Sequence, residues 1–462
     1  MDRVIPGKYG LLRLVHGGRA RSLLQMGMDL GPPLSSFPCQ IKTGILPCGL
    51  RLVTVQAPHL HMTAMGLFVR AGSRFEHEST NGLSHFVEHM LFRGSKNYPN
   101  SLALNHAFEE RCGMLSGETG RDYSLYQVTM HPGDLREAMV ILGDLFTSPK
   151  FSDIELERAI VLEEILDDFD ERGKRVNIDD VARDIAFPGH PLGFPITGPE
   201  SNIRGFTRAD VVRHFKRTHG AKNMVLAVAG PVSHAKVMTM ASRIFADLPA
   251  GKLVEPEAPP AVYPGGKLKL VPTDSSQVEI QFLFRALPDE DADYPALVTL
   301  MRVLDDGMST RLHYRVCDRK GLAYHVNAGM DSMGDVSVCD VTAACAPKKL
   351  PALAAEILAI LGELREAHIT ETELMKVKRR YARDLEAGFD DVEGLAAFYG
   401  ANLLFDRPLR TPIHRQRRMD AVTMDQVREV ARRVLTPENM ITTVVGSTSK
   451  TVSKKLRSLI KP

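Results

Sequence analysis

The sequence predicts an α+β protein built from two homologous modules that face each other across a chamber. Each module is expected to hold a mainly antiparallel, mixed sheet with helices packed on one face. Three observations predict this class: the length of the chain, a proline- and glycine-rich stretch near its middle, and a series of motifs that occurs once in each half.

The length and the middle stretch define the expected domains. A chain of 462 residues exceeds the roughly 250–300 residues that one hydrophobic core usually serves. Residues 248–272, LPAGKLVEPEAPPAVYPGGKLKLVP, have little apolar periodicity and are typical of a linker. We therefore expect a disordered N-terminal extension over residues 1–40, a first module over 41–247 and a second module over 273–462.

The two halves share an internal repeat. Residues 191–230 and 408–446 both contain a Pro-Leu pair, a second proline, a threonine, an Asn-Met pair and an apolar run ending in glycine, in that order. The threonines, Thr207 and Thr423, each precede an amphipathic segment, as helix N-caps do. The repeat indicates two copies of one module.

Several short runs have the composition of strands. They are rich in β-branched and aromatic residues and are bounded by glycine, proline or polar residues. In the first half these runs are GLRLVTVQ, AMGLFVRAG and YSLYQVTM, and in the second half the run is VEIQFLFRA. Together with helical segments between them, they favour a mixed, mainly antiparallel sheet in each module.

Charge and composition exclude several classes of protein. With 58 basic and 56 acidic residues the net charge is only +2, so no nucleic-acid partner is expected. No run approaches the roughly 18 apolar residues of a membrane span. The six cysteines form no Cys-x-x-Cys pair or disulfide framework. We expect a cytoplasmic protein, with the mitochondrial matrix as the alternative because residues 1–28 are weakly basic.

The stretch His-Phe-Val-Glu-His at residues 85–89 is the first candidate for a functional site. On a helix capped near Asn81, the side chains of His85, Glu88 and His89 share one narrow arc opposite an apolar one. Two imidazoles one helical turn apart can hold a zinc ion, and a glutamate beside them can act on water. The alternative is a pair of ordinary histidines beside a helix-stabilising glutamate.

A third protein ligand is expected on a helix that begins at Ser152 or Asp153. One face of this helix combines carboxylates with apolar side chains: Glu157, Ile160, Val161, Glu164 and Asp168. Carboxylates in apolar surroundings are costly unless a metal or hydrogen bonds compensate them. The alternative is a solvated acidic face, because the surrounding sequence LEEILDDFDE is crowded with acids.

These motifs resemble the pitrilysin-type (M16) zinc metallopeptidases, the family of insulin-degrading enzyme and the mitochondrial processing peptidase. The similarity spans about residues 41–450 and is closest to the short members with two modules. It rests on HFVEHMLFRGS and ERAIVLEEI, and on ILPCGLRLVTVQAP, VRAGSRFE, HPLGFPITGPESNI, KNMVLAVAG and RKGLAYHV in that order.

The resemblance implies a zinc-dependent endopeptidase acting on flexible or unfolded peptides. By position, His85, His89 and Glu164 would ligate Zn²⁺ and Glu88 would activate the attacking water. Glu157 matches a further family carboxylate near the metal, which would orient a ligand. The second half offers only Tyr381 and Ala382 near the place of Glu164, so the second module is expected to hold no metal.

The sequence departs from the family pattern at two places that concern the substrate. Ser116 and Gly117 stand where the family commonly has Asn-Ala, on an edge strand that pairs with the peptide. In the second half, Tyr324 matches a family tyrosine that reaches toward the substrate. The arginine expected seven residues before it is Cys317.

Because Cys317 replaces this arginine, the sequence does not decide whether one chain or two chains form the catalytic site. Either Arg315 or Arg319 takes its place by a local shift, or the group comes from elsewhere. Since the family includes paired subunits, we expect a dimer, which could be a heterodimer with a related subunit that supplies the arginine and tyrosine. The alternative function is a noncatalytic core subunit or a peptide-binding subunit of a heteromeric complex.

Overall fold

The computed structural model describes Leu34 and residues 36–110 and 113–460. The expected disordered extension lies mostly outside these residues. In the described chain the strands are β1 (Gln40–Ile45), β2 (Arg51–Gln56), β3 (Thr63–Val69), β4 (Ser116–Thr119), β5 (Ser124–Met130), β6 (Met224–Gly230), β7 (Lys267–Val271), β8 (Val278–Ala286), β9 (His325–Ser332), β10 (Ser337–Cys345) and β11 (Met440–Val445).

The helices surround and connect these strands. They are α1 (Leu83–Leu91), α2 (Ser101–Glu109), α3 (Leu135–Thr147), α4 (Ile154–Glu164), α5 (Ile178–Ala186), α6 (Glu200–Gly205), α7 (Arg208–Thr218), α8 (His234–Ile244), α9 (Tyr294–Leu304), α10 (Leu350–Glu366), α11 (Glu371–Ala387), α12 (Val392–Leu404), α13 (Pro412–Asp420), α14 (Met424–Val434) and α15 (Lys450–Leu459). In the part of the chain that the structure describes, no helix is both long and apolar enough to cross a bilayer.

Each half of the chain forms its own sheet, as the internal repeat predicts. The first sheet has the order β1-β2-β6-β3-β5-β4 and the second the order β7-β11-β8-β10-β9. Neighbours are antiparallel except for the parallel pairs β2 with β6 and β7 with β11. Apart from β1, the two sheets therefore have the same order and the same strand directions, and the predicted α+β fold of two homologous modules is confirmed. The chamber between the modules stays a prediction.

The repeated threonines begin equivalent helices. Thr207 caps α7, and its hydroxyl accepts a hydrogen bond from the backbone N–H of Asp210. Thr423 caps α14 in the same way, through the N–H of Gln426. In both places the side chain of the third helical residue accepts a hydrogen bond from the backbone N–H of the threonine, which completes a capping box.

Each module packs one of its helices on the sheet of the other module. Central strands β3 and β6 are buried along their whole length. Helices of the first module cover one face of their sheet, whereas α12 of the second half covers the other. In return, α5 of the first half packs on the second sheet, where Ala182 and Ala186 contact Leu283 and Ile441. Each module's own helices therefore cover one face of its sheet, as expected, and the other face is buried by a helix of the other module.

Ion pairs between buried arginines and half-exposed carboxylates also join the modules. Arg74, in the first half, has a side chain only 2% exposed and contacts Asp122 Oδ1 at 3.2 Å. The same guanidinium reaches Asp335 of the second half at 2.5 Å. Arg183 of α5 pairs with Asp331 of β9 at 2.8 Å. These pairs fix the modules against each other, since separating them would take one carboxylate partner from each buried arginine and leave Arg74 with Asp122 and Arg183 with Asp179.

The linker is shorter than the expected 248–272, because residues 267–271 form β7 and pair in parallel with β11. In the run Lys-Leu-Lys-Leu-Val the two lysines are exposed, the two leucines are half-buried and the valine is buried. The prolines and glycines before the run conceal this short strand signal. The first part of the linker is held by the first module. Ala221 donates to the Pro249 carbonyl at 2.8 Å, and Val254 donates to Asn223 Oδ1 at 2.7 Å.

Candidate metal centre

Helix α1, which carries the His-Phe-Val-Glu-His motif, is held at its start by the buried Glu76. This carboxylate accepts hydrogen bonds from the backbone N–H groups of Gly82 at 2.8 Å and Ser84 at 2.6 Å. The first N–H groups of a helix lack partners within the helix, and a negative charge there is favourable. The helix begins next to Asn81, as expected, with Gly82 at the N-cap position, but the Asn81 side chain donates to Glu76 and does not itself cap the helix.

Three of the expected residues converge on one point. His85 Nε2 and His89 Nε2 lie 3.2 Å apart. Glu164 at the end of α4 reaches both rings, with Oε1 at 3.5 Å from His85 Nε2 and Oε2 at 3.2 Å from His89 Nε2. Over residues 36–110 and 113–460, these three side chains form the one group of histidine, cysteine or carboxylate ligands close enough to share a metal ion.

This donor set fits a zinc ion. Two imidazole nitrogens and one carboxylate are a ligand combination of catalytic zinc sites, which keep three protein ligands and leave one position open. Hydrogen bonds from His85 and His89 hold the pKa of the Glu164 carboxyl well below its usual range. Glu164 is therefore ionised at neutral pH, as a metal ligand must be.

Glu157 lies behind the cluster rather than in it. Its Oε1 contacts His89 Nδ1 at 2.8 Å, and its Oε2 accepts a hydrogen bond from Arg93 Nε. Burial raises the pKa of Glu157, but the hydrogen bonds to His89 and Arg93 outweigh burial and lower it. By holding Nδ1, Glu157 directs His89 Nε2 toward the cluster, which is how carboxylates orient histidine ligands.

The same contacts change the acidity of His89. Burial lowers the pKa of His89, but hydrogen bonds to Glu157 and Glu164 prevail and raise it to about 9. Without a metal, His89 is therefore protonated at neutral pH. A metal ion bound at Nε2 would displace this proton, since imidazole binds metals in its neutral form.

The predicted face of α4 is only partly correct. Val161 is fully buried, but Ile160 is 42% exposed. Asp168 lies outside the cluster because α4 ends at Glu164 and a tighter helical turn follows, so the spacing of an α-helix no longer applies. The Asp168 side chain accepts a hydrogen bond from Asn177 Nδ2 at 2.8 Å instead.

Glu88 lies beside the exposed edge of the first sheet. Thr119 of β4 donates a hydrogen bond from its hydroxyl to Glu88 Oε2. A Cβ atom added at Gly117 would lie 2.7 Å from Glu88 Oε1 and 2.8 Å from the Phe92 ring. The predicted peptide-binding residue Gly117 is thus next to the predicted general base, with Ser116 beside it on the strand, and among the described strands β4 pairs with β5 alone. Sequence reasoning missed Thr119, although it is two residues after Gly117 and so on the same side of the strand.

The structure does not bring Tyr324 to the metal ligands. Its side chain is 98% exposed at the start of β9. Cys317 lies in a π-helical turn, His313–Arg319. Arg315 is held by Glu356 and Glu363, both at 2.6 Å. Arg319 is exposed and forms no hydrogen bond or ion pair with any described residue, so it is the arginine that remains free.

Comparison with known proteins identifies the family of this chain. Residues 51–200 match the family model "Insulinase (Peptidase family M16)", and residues 205–381 match the model "Peptidase M16 inactive domain". The chain belongs to peptidase family M16.

Individual relatives resemble most of the chain. An uncharacterized zinc protease of Mycobacterium tuberculosis is 29% identical over 402 residues, which cover 84% of this chain and 90% of the relative. A probable β subunit of the mitochondrial-processing peptidase of Arabidopsis thaliana is 26% identical over 87% of this chain and 77% of the relative. A protease from Helicobacter pylori has the same fold, with a TM-score of 0.82 at 20% identity, over 89% of this chain and 100% of that chain.

Proposed function

We propose that this protein is a zinc-dependent endopeptidase that hydrolyses peptide bonds in flexible or unfolded peptides. The observation that carries the proposal is the convergence of His85, His89 and Glu164 with Glu88 on the same helix as the two histidines. The names of the zinc-protease relatives support the same class of activity.

The residues in and around the cluster would have separate roles in hydrolysis. Zinc bound by His85, His89 and Glu164 would polarise the peptide carbonyl as a Lewis acid. Glu88 takes the proton from the attacking water and passes it to the leaving amine, as a general base and then a general acid. Thr119 fixes the Glu88 carboxylate through its hydroxyl.

The edge of β4 would bind the peptide. An extended peptide can add to an open sheet edge through backbone hydrogen bonds, and only a flexible or unfolded chain can offer such a strand. At Gly117 any side chain would approach the Glu88 carboxylate, so glycine keeps the space between the edge strand and the general base open.

Cleavage of unstructured fluorogenic peptides by the purified chain tests the proposal. We expect hydrolysis that a chelator abolishes and that stoichiometric zinc restores, with no cleavage of a stably folded protein that contains the same peptide sequence. Hydrolysis that persists after complete zinc removal would contradict the assignment.

A second polypeptide would complete the site. We propose a dimer in which Tyr324 and Arg319 of one subunit reach the peptide bound at β4 of the other. The full exposure of Tyr324 and the free guanidinium of Arg319 support this arrangement. The partner is a second copy of this chain or a related subunit. If the partner is a related subunit that supplies the arginine, this chain, which has Cys317 in that position, would on its own be a peptide-binding or core subunit.

Mixing two inactive variants tests the shared site. Glu88→Gln and Tyr324→Phe each disable a different part, so a mixed dimer would hold one intact site if the parts come from different subunits. An equimolar mixture is expected to recover up to about a quarter of wild-type activity, because half of the dimers are mixed and each has one working site. An active wild type with no recovery in the mixture would show that Tyr324 does not act across subunits.

A further inference from the structure

A cavity of about 470 Å³ lies where α12, which covers the first sheet, meets helices of the second module. Four arginines line it: Arg407, Arg410, Arg415 and Arg418. All four are half-buried. Asp289 is the one carboxylate among the residues that line the cavity, so the lining carries a large excess of positive charge.

The four guanidinium groups have almost no protein partners. Within the described chain, none of them donates a hydrogen bond to another residue, and the single ion pair joins Arg407 to Asp289 at 3.9 Å. The Nε group of Arg407 is buried without a partner. By contrast, the guanidinium groups of Arg74 and Arg183 each form a close ion pair, Arg74 with Asp335 and Arg183 with Asp331.

The positive charges repel one another and are held in place. Burial and the charge of Arg410 both lower the pKa of Arg418. Arg415 lies over the Phe398 ring with 4.3 Å between its guanidinium carbon and the ring centroid, and Arg407 lies over Phe405 at 5.2 Å. Aromatic stacking of this kind fixes the plane of a guanidinium while leaving its N–H groups free to donate.

We propose that this cavity binds a small, multiply charged anion that bears phosphate. Guanidinium groups match the geometry of phosphate oxygens and bind them through paired, charge-assisted hydrogen bonds. An anion would supply the partners that the four arginines lack and would offset their mutual repulsion. The cavity is larger than one phosphate group requires, which favours a diphosphate or a nucleotide. Binding of such an anion would not require peptidase activity.

Calorimetric titration of the full-length protein with pyrophosphate tests the site. We expect Arg418→Gln to weaken binding about 10- to 100-fold, the range that the loss of charged hydrogen bonds produces. The affinity of Arg418→Lys for pyrophosphate should lie between those of the wild type and Arg418→Gln, since lysine keeps the charge but not the planar guanidinium group. The matched control is Arg417→Gln, which removes the same charge from the exposed face of the same helix.

The control also separates this site from the metal centre. Pyrophosphate also chelates zinc, but the heat released by chelation would be the same for the Arg417→Gln and Arg418→Gln variants. Without pyrophosphate, Arg418→Gln should melt no lower than wild type, because it relieves repulsion. Equal binding by both variants, a large loss of thermal stability in Arg418→Gln alone, or citrate binding as tight as pyrophosphate would overturn the proposal.

Discussion

Glu88→Gln is expected to reduce kcat for peptide hydrolysis by about 100- to 10,000-fold, the usual contribution of a general acid–base group. Glutamine keeps the shape of the side chain and can still accept the hydrogen bond from Thr119, but it cannot take up a proton. Since His85, His89 and Glu164 are unchanged, zinc content measured by atomic absorption should equal that of the wild type.

The control for this experiment is Glu163→Gln. Glu163 is an exposed residue on α4, next to the predicted ligand Glu164, so its change removes one nearby charge without touching the cluster. It should alter kcat less than about twofold, as surface substitutions usually do. Retention of activity by Glu88→Gln with intact zinc would mean that another group accepts the proton.

Glu76→Ala should lower the free energy of unfolding by about 3–5 kcal/mol, because it leaves several buried N–H groups without an acceptor. Glu76 is 1% exposed and accepts from the backbone of Gly82 and Ser84 and from the Asn81 side chain. The start of α1 depends on these bonds, so zinc affinity should fall together with stability. Urea denaturation and zinc titration of the same preparation measure both effects.

A matched substitution distinguishes this anchoring role from a general effect of charge. Glu78 is exposed and two residues away, and Glu78→Ala should change stability by less than about 0.5 kcal/mol. The loss of stability in Glu76→Gln should lie between those of Glu76→Ala and Glu78→Ala, since the amide keeps one acceptor oxygen. If Glu76→Ala unfolds at the same urea concentration as Glu78→Ala, the buried carboxylate does not stabilise the helix start.

The sequence predicted the parts of the fold that local patterns control. Thr207 and Thr423 mark equivalent helices because capping depends on residues three positions apart. The exchange of α5 and α12 was not predicted, because the apolar faces of both helices are equally compatible with packing on their own sheets. Strand β7 was missed because its pattern is short and follows several prolines and glycines.

The residues of the candidate site also fall into those that local sequence patterns predict and those that only the folded chain brings together. His85, Glu88 and His89 were identified together because one helical turn fixes their spacing. Glu164 required the resemblance to a family in addition to its acidic, partly apolar helix. Glu76 and Arg93 act through contacts that only the folded chain creates, and their spacing in sequence gives no signal for them. For Thr119 the signal was the alternation of a strand, which places it on the same side as Gly117.

The position of α12 has a consequence for how the protein is made. One face of the first sheet is covered by a helix that begins at Val392, although the last strand of that sheet ends at Gly230. On the ribosome, an apolar surface of the nascent first module therefore stays uncovered until nearly the whole chain has been synthesised. Exposed surface of this kind is prone to aggregation, so we expect chaperones to bind the growing chain during this interval.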